Sequence, residues 1–308
     1  MAGSFPVSRL MLLDAASLYF RAFFGVPESI TAPDGTPVNA VRGLLDFIAR
    51  LINVRAPDRL IACLDQDWRP AFRVAAVPSY KSHRLLNAAR NIEDIPPALV
   101  AQVPVILDVL DALGLTYFGA AGFEADDVIG TLAAKDPGPV DVVTGDRDLF
   151  QVVDDSREVR VLYTARGVGR HEVVDESVVT AKYSIPGRAY AAFATLRGDP
   201  SDGLPGVPGV GDKTAATLIS RFGDVEGLLT AIDDPTSEIA PTLRRKLADA
   251  RDYLAVAPFA VAVRTDVPVP DVDATLPSKP RDPEALVDLG ERWNLDSSLN
   301  RVLNALAR

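Results

Sequence analysis

Cysteine and histidine are almost absent from this chain of 308 residues, which has one cysteine, Cys63, and two histidines, His83 and His171. A single cysteine cannot form an internal disulfide, and the apolar neighbours of Cys63 predict a buried thiol in a reducing compartment. The same scarcity argues against a zinc site built from cysteine and histidine ligands.

Long apolar runs are also missing. No segment approaches the ~18 consecutive apolar residues that indicate a membrane span, and the N-terminus lacks the basic leader of a signal peptide. We therefore expect a cytoplasmic protein that makes no membrane contact. The length predicts two domains, or one domain with a large appendage.

Basic residues are in deficit, because 32 Lys and Arg against 42 Asp and Glu give a formal net charge of −10. This balance argues against a nucleic-acid partner, since affinity for a phosphate backbone comes mainly from Lys and Arg. The objection weakens because many of the acids fall in a few short motifs. Carboxylates that hold cations would also be less negative than the count implies.

Short apolar runs alternate with segments of helical periodicity in the first part of the chain. Strands are predicted at 10–13, 60–64, 140–144 and 159–163, and helices at 38–54, 103–113 and 124–134. This alternation predicts an α/β fold with a mostly parallel sheet between helices. Helices then replace strands, at 188–196, 213–222, 225–231 and 243–254. We predict a domain boundary near residue 185.

Acidic residues follow the predicted strands, at the edge where ligands collect in open α/β sheets. They are Asp14, Asp65, Asp146 and Asp148 after strands, Glu124, Asp126 and Asp127 at a helix start, and Asp199 and Asp202 in a later turn. Like charges raise one another's pKa and destabilise the fold unless cations are bound, and Mg²⁺ and Mn²⁺ prefer oxygen ligands. Two such ions roughly 4 Å apart would activate water and stabilise the leaving oxygen in phosphodiester hydrolysis.

Each acidic motif also has an ordinary structural explanation. Residues 146–148 are compatible with an Asx turn or helix cap, residues 198–203 with a polar turn, and residues 124–127 with a charged first helical turn. The combination of four acidic segments at one sheet edge favours a metal site.

A glycine-rich segment precedes the helix predicted at 213–222. Its candidate DNA-binding residues are Gly206, Gly209, Gly211, Lys213 and Thr214. It is not a phosphate-binding P-loop, because Asp212 stands where that motif needs Lys and no strand precedes it. A hairpin between helices would present backbone N–H groups and a helix N-terminus to a DNA phosphate without reading sequence. An ordinary glycine-rich helix connection remains the alternative.

These motifs together closely resemble the bacterial 5′-nuclease family, which includes the nuclease domain of DNA polymerase I and the flap endonucleases. The matching stretches, in family order, are residues 12–14, 64–65, 80–84, 122–127, 144–149 and 198–213. The resemblance implies a PIN-like nuclease core at 1–185 with a helical arch at about 78–104. It also implies a helix–three-turn–helix DNA-binding subdomain at 186–280, followed by a C-terminal helical extension at 281–308.

The resemblance also implies roles for individual residues. Asp14, Asp65, Glu124 and Asp126 would mainly hold a first metal ion, Asp146, Asp148, Asp199 and Asp202 a second, and Asp127 would act through water. Four residues would lie near the scissile phosphate: Lys81, Arg84, Arg21 and Tyr80. Lys81 and Arg84 can neutralise phosphate charge. Tyr80 can stack on an unpaired base or simply pack at the foot of the arch, and Arg21 can be a solvated helix charge. A potassium ion at the hairpin is also plausible from the resemblance.

The chain departs from the family pattern at two notable places. Gly203 stands where bacterial members usually have Asn, which affects how that turn is held. The arch segment at 85–97 is longer than in the polymerase-linked domains, and Arg90 is its only base against Glu93 and Asp94. The segment therefore offers few basic side chains to the phosphates of a flap.

We therefore expect a free-standing, monomeric nuclease that cuts DNA at 5′ flaps, nicks and gaps, and RNA primers at RNA–DNA junctions. Such an enzyme would serve replication and repair at the nucleoid. Two alternatives stay open. A PIN-type ribonuclease would need the carboxylates but not the hairpin, and a structure-specific DNA-binding protein without catalysis would not need the complete carboxylate set.

Overall fold

The computed structural model describes residues 8–307. The strands are β1 (Leu10–Asp14), β2 (Arg59–Cys63), β3 (Leu85–Asn87), β4 (Ile92–Glu93), β5 (Thr116–Phe118), β6 (Val140–Thr144), β7 (Val159–Tyr163) and β8 (Glu172–Val174). The helices are α1 (Ala15–Gly25), α2 (Asn39–Arg55), α3 (Ala71–Ala76), α4 (Pro97–Val100), α5 (Val103–Leu113), α6 (Ala125–Lys135), α7 (Glu176–Tyr183), α8 (Tyr190–Arg197), α9 (Asp212–Phe222), α10 (Val225–Asp233), α11 (Pro241–Asp249), α12 (Arg251–Val256), α13 (Pro258–Val261), α14 (Pro283–Trp293) and α15 (Asp296–Leu306).

Six strands form one sheet in the order β5-β2-β1-β6-β7-β8, and β8 alone is antiparallel to its neighbour. The four predicted strands are confirmed as β1, β2, β6 and β7. The chain leaves β1 toward β2 on one side of the sheet and leaves the adjacent β6 toward β7 on the other side. The carboxyl ends of β1, β2 and β6 form the topological switch point where α/β sheets bind ligands.

Helices cover both faces of the sheet and enclose two apolar cores. On one face, α2 buries Val41, Leu44, Leu45 and Ile48, which recur at helical spacing. On the other face, α6 begins with a capping box in which Glu124 and Asp127 each accept from the other's backbone N–H. The capping box fixes where α6 starts, and so where its acids lie.

The C-terminal helices return to the N-terminal core. Leu299 and Val302 of α15 are buried in the same cluster as the inner face of α2. Arg301 of α15 also donates to Asp46 of α2, with 2.8 Å between Nε and Oδ1. Within the region where a C-terminal helical extension is predicted, α15 is therefore part of the layer that covers the sheet.

The segment expected to form a helical arch is not a continuous helix, and that prediction is wrong here. It contains short 3-10 turns at Ser82–Arg84 and Ala88–Arg90 and the antiparallel pair β3–β4. Leu86 and Ile92 are exposed, so the segment has little apolar surface to pack. An isolated helix this short is only marginally stable without such packing.

Beyond residue 185 the chain is helical, as predicted, and α8 and α9 are joined by the glycine-rich hairpin. The helix expected at 243–254 is interrupted into α11 and α12 at Ala250. The chain then crosses back to the sheet, where Ala274 accepts a hydrogen bond from the Leu60 N–H. Within residues 8–307, no helix combines the length and apolar character needed to cross a bilayer.

Candidate metal centre and phosphate-binding groups

A cavity of about 770 Å³ opens at the carboxyl ends of β1, β2 and β6. It is lined by six of the predicted metal ligands, Asp14, Asp65, Glu124, Asp126, Asp146 and Asp199, and by two of the predicted phosphate-binding bases, Lys81 and Arg84. The structure thus brings together side chains that are up to 185 positions apart in the chain (14 to 199). Trp68, Glu93 and Asp94 also line it.

Hydrogen bonds to the backbone fix the acids at the strand ends. Asp14 caps α1 by accepting from the Ser17 N–H at 3.1 Å, and it accepts from the Thr144 hydroxyl at 2.7 Å. Asp146 accepts from the Asp148 N–H at 2.8 Å. Each of these carboxylates keeps acceptor capacity beyond the bonds that hold it, because an ionised carboxylate has about four lone-pair sites.

Burial and mutual repulsion raise the pKa values of the acids in this cavity. Burial, together with the charge of Asp65, raises the pKa of Asp14 to about 7. Burial and the neighbouring Asp14 and Asp146 raise the pKa of Asp126 well above its usual value. Burial and Asp202 raise the pKa of Asp146 as well. These raised pKa values show that the protein alone does not neutralise the negative charge of the ionised acids. A bound cation would neutralise it.

Glu124 is the acid most closely surrounded by donors. Lys81 Nζ lies 2.8 Å from Oε2, and the Tyr80 hydroxyl donates at 3.0 Å to Oε1. Burial nevertheless raises the pKa of Glu124 to about 7, although Lys81 and Arg73 lower it. Burial lowers the pKa of Lys81, but neighbouring groups, Glu124 foremost, outweigh burial. The pKa of Lys81 is therefore raised well above its ordinary value.

The expectation that Tyr80 stacks on an unpaired base is wrong in this structure. Its side chain is only 3% exposed, and its hydroxyl points at Glu124. Its ring packs 5.8 Å from the Arg73 guanidinium. The structure agrees with the alternative prediction, in which Tyr80 packs at the foot of the expected arch segment.

Asp127, which was expected to act through water, does not line the cavity. Its carboxylate is fully buried and accepts two hydrogen bonds of 2.7 Å from Arg73. The side chains of Asp126 and Asp127 point in different directions because successive residues of a helix differ by about 100°. Only Asp126 faces the other acids.

Asp148 and Asp202, the remaining two predicted ligands, do not line the cavity, whereas Asp199 does. Asp199 accepts from Arg197 and from Ser201, and Asp202 accepts from Arg84 Nη2 at 3.2 Å. Asp148 is 8% exposed, and its Oδ1 is buried without a hydrogen-bond partner among the described residues. An unsatisfied carboxylate oxygen beside other acids is a group that a cation would satisfy.

Among residues 8–307, no three acidic, histidine or cysteine side chains are already gathered closely enough to make a complete metal site. The carboxylates instead use nearby bases, such as Lys81 for Glu124 and Arg84 for Asp202. The donor set nevertheless fits a hard divalent cation, because it is made of oxygen and includes the unpartnered Asp148 atom.

The other predicted residues lie outside the cavity lining. Arg21 is half-buried and its Nη1 is 3.4 Å from the Ala165 carbonyl, beside Gly145. Gly206, Gly209 and Gly211 lie in the connection to α9, and Gly209 and Gly211 are exposed. Lys213 is exposed and Thr214 is half-buried in the first turns of α9.

Sequence reasoning missed Arg73, which is 2% exposed and contacts both acids at the start of α6. The sequence contains no signal for this role, because an arginine in a short helix is usually an exposed charge. Trp68 was also missed, and its indole N–H donates to the Asn91 carbonyl at 3.0 Å, joining the β3–β4 segment to the cavity wall.

Comparison with known proteins is consistent with this geometry. Residues 9–184 match the family described as "5′-3′ exonuclease, N-terminal resolvase-like domain", and residues 185–284 match "5′-3′ exonuclease, C-terminal SAM fold". A 5′-3′ exonuclease of Streptomyces coelicolor is 58% identical over 299 residues, covering 96% of this chain and 99% of that protein. DNA polymerase I of Mycobacterium tuberculosis is 37% identical over 302 residues, covering 97% of this chain and 32% of the polymerase.

A solved structure shares the fold. The T5 D15 flap endonuclease, in a pseudo-enzyme-product complex with DNA and metal ions, superposes with a TM-score of 0.63 at 18% identity. The match covers 97% of this chain and all of the T5 chain (100%). The mostly parallel sheet and the helical second region are thus a known arrangement.

Proposed function

Because this chain belongs to the 5′-3′ exonuclease family, we propose that it hydrolyses phosphodiester bonds near 5′ ends of DNA with two or more divalent cations. One observation carries this proposal: acidic side chains from several strand ends face Lys81 and Arg84 in a single cavity. The acids suit cations and the bases suit a phosphate, so the cavity fits metal-assisted phosphodiester hydrolysis.

Mg²⁺ or Mn²⁺ fits this site, because the available donors are carboxylate oxygens. We assign the ligands to two groups: Asp14, Asp65, Glu124 and Asp126 for one ion, and Asp146, Asp148, Asp199 and Asp202 for a second. When bound, such ions activate water and stabilise the leaving oxygen.

The bases of the cavity have the complementary role of binding the substrate phosphate. Lys81 and Arg84 bond to Glu124 and Asp202 in the free protein, so a phosphate entering the cavity competes with those acids for the same donors. Arg84 is the more exposed of the two bases, with 36% of its side chain accessible against 12% for Lys81. We therefore expect Arg84 to meet the phosphate first and Lys81 to hold it deeper in the cavity. Arg21, outside the lining, is a candidate contact to a neighbouring phosphate.

The substrates we propose are DNA duplexes with 5′ flaps, nicks or gaps, and RNA–DNA primer junctions. The hairpin before α9 supports a duplex partner, because Gly209, Gly211 and Lys213 are exposed beside a helix N-terminus. A potassium ion at this hairpin would add to its attraction for phosphate. The same fold holds DNA in the T5 D15 protein. We expect the chain to act as a monomer on chromosomal DNA in the cytoplasm.

The test is cleavage of a 5′-labelled flap duplex with Mn²⁺, Mg²⁺ or EDTA, beside the same flap sequence as free single-stranded RNA. We expect cleavage of the flap with either ion and none in EDTA. Asp126→Asn and Asp146→Asn should lower turnover by orders of magnitude and leave duplex binding intact. Asp34→Asn, an exposed acid outside the cavity, is the control and should cleave normally.

Cleavage in EDTA would refute metal dependence, and normal cleavage by Asp126→Asn would refute the site assignment. Preferential cleavage of free RNA would instead favour a PIN-type ribonuclease. Binding of the flap without cleavage under every condition would identify a DNA-binding protein that lacks catalysis.

A further inference from the structure

We propose that Arg73 and Asp127 form one positioning unit that holds Glu124 in the cavity, and that Asp127 is not a metal ligand. The proposal rests on the proposed function only in taking Glu124 as a ligand. Arg73 lies on α3 and Asp127 in the first turn of α6, next to Glu124 at the helix start. The unit therefore joins two elements that meet directly behind the cavity wall.

The acceptor capacity of Asp127 is used up inside the protein. Its Oδ1 accepts from Arg73 Nη2 at 2.7 Å and from the Arg264 N–H at 2.9 Å. Its Oδ2 accepts from Arg73 Nη1 at 2.7 Å and from the Glu124 N–H at 3.3 Å. A carboxylate offers about four lone-pair sites, so these four donors leave no site for a cation or for a water that bridges to one.

Arg73 extends the unit from Asp127 to Glu124. Its Nη1 is 3.6 Å from Glu124 Oε1, on the side of that carboxylate opposite the 2.8 Å contact with Lys81 at Oε2. Removing the arginine would leave Asp127 buried without its counter-charge and free Glu124 to turn. Removing one partner of a buried ion pair is strongly destabilising, because the other charge is left uncompensated.

The unit also reaches the returning segment after α12. Arg73 Nε donates to the Ala260 carbonyl at 2.9 Å, and the Arg264 N–H donates to Asp127. Ala260 and Arg264 follow the helical region that carries the hairpin. The orientation of Glu124 thus depends on how residues 260–264 dock against α3 and α6. Groups that orient a metal ligand typically change metal affinity 10–100-fold when they are removed.

A double-mutant cycle on Mn²⁺ binding tests the proposal. Free Mn²⁺ is measured by electron paramagnetic resonance in titrations of full-length wild type, Arg73→Met, Asp127→Asn and the double variant, each confirmed as folded by circular dichroism. We expect each single change to weaken Mn²⁺ binding roughly 10-fold, and the double variant to be no weaker than either single variant, because the two residues act as one unit. Arg73→Lys, which keeps the charge, should recover part of the affinity.

Two further variants calibrate the cycle. The first is Asp126→Asn, which changes a neighbouring acid that faces the cavity. When it is combined with Asp127→Asn, the losses of Mn²⁺ affinity from the two changes should add. Arg251→Met with Asp233→Asn removes an exposed ion pair of the helical region and should leave Mn²⁺ binding unchanged. If Arg73→Met does not fold, the cycle is run with Arg73→Lys in its place.

The inference is overturned if the effects of Arg73 and Asp127 add, because Asp127 would then act independently as a ligand. It is also overturned if folded Arg73→Met and Asp127→Asn bind Mn²⁺ like wild type, since their role would then be purely structural. Failure of wild type itself to bind Mn²⁺ would refute the proposed function instead, so the two failures are distinguishable.

Discussion

Replacing Asp14 with Asn should stabilise the metal-free protein at high pH. Asp14 is 6% exposed, and burial with the charge of Asp65 raises its pKa from 3.8 to about 7. Each pKa unit corresponds to ~1.4 kcal/mol, so the ionised side chain costs about 4 kcal/mol relative to the unfolded chain. Asn keeps an oxygen that can accept from the Ser17 N–H, so the helix cap survives the change.

The sign of the pH dependence follows from this raised pKa. Between pH 3.8 and about 7 the folded protein keeps a proton on Asp14 that the unfolded chain releases. Wild-type stability should therefore fall as the pH rises through that window. Asp14→Asn should show a flatter profile, and at pH 8 its melting temperature should be higher by roughly 8 °C, at ~2 °C per kcal/mol for a chain of this size.

The assay is thermal unfolding in EDTA from pH 4 to 8, repeated with Mn²⁺ at pH 8. Mn²⁺ should raise the melting temperature of wild type and have much less effect on Asp14→Asn. The matched control is Asp175→Asn, which also changes an N-cap aspartate, but one whose pKa is lowered by the Ser177 hydroxyl. That control should not be stabilised. If Asp14→Asn melts at or below wild type at pH 8 without metal, the reasoning from charge repulsion fails.

Two other changes test packing. Leu299→Ala should lower the free energy of unfolding by about 2–5 kcal/mol, because Leu299 is 4% exposed where α15 meets the core. Urea unfolding measures this loss. The control is Val287→Ala, at a side chain that is 58% exposed, and its free energy of unfolding should stay within ~0.5 kcal/mol of wild type. Equal losses in the two variants would contradict the packing of α15. Gly203→Ala should lower both stability and flap cleavage, because a Cβ at φ +70° would overlap the Ser79 carbonyl oxygen and push the turn away from Lys81. Gly25→Ala, where a Cβ meets open space, is its control, and equal behaviour of the two variants would show that the turn adapts.

Much of the sheet could be predicted because its central strands are long apolar runs. β1, β2, β6 and β7 each have five residues with mostly buried side chains. β5 and β8 were missed, since three residues are too few to show a periodicity. Their pairing comes from the neighbouring strand, which is information that a local pattern does not contain.

The candidate site was predictable in its location but not in its details. Strand ends at a switch point place Asp14, Asp65 and Asp146 near one another whatever the side-chain packing. The sequence could not predict that Asp126 faces the cavity and Asp127 does not, because the two residues are adjacent and identical. The difference depends on Arg73, which lies 54 positions from Asp127 in the chain and donates to it. The arch prediction failed for a similar reason, since it needed packing partners that the sequence does not specify.

Adjacent acids at the start of α6 show how local charge distinguishes a structural carboxylate from a candidate ligand. Asp127 has a buried arginine and two backbone N–H groups as partners, so its charge is already neutralised and its lone pairs are occupied. The pKa of Asp126 is raised by burial and by the acids around it, and the nearby Lys81 compensates its ionised form only in part. A divalent cation supplies the charge that Asp126 lacks and offers nothing that Asp127 needs. The net charge of −10 therefore does not exclude a DNA partner, because part of it lies where cations rather than DNA would be bound.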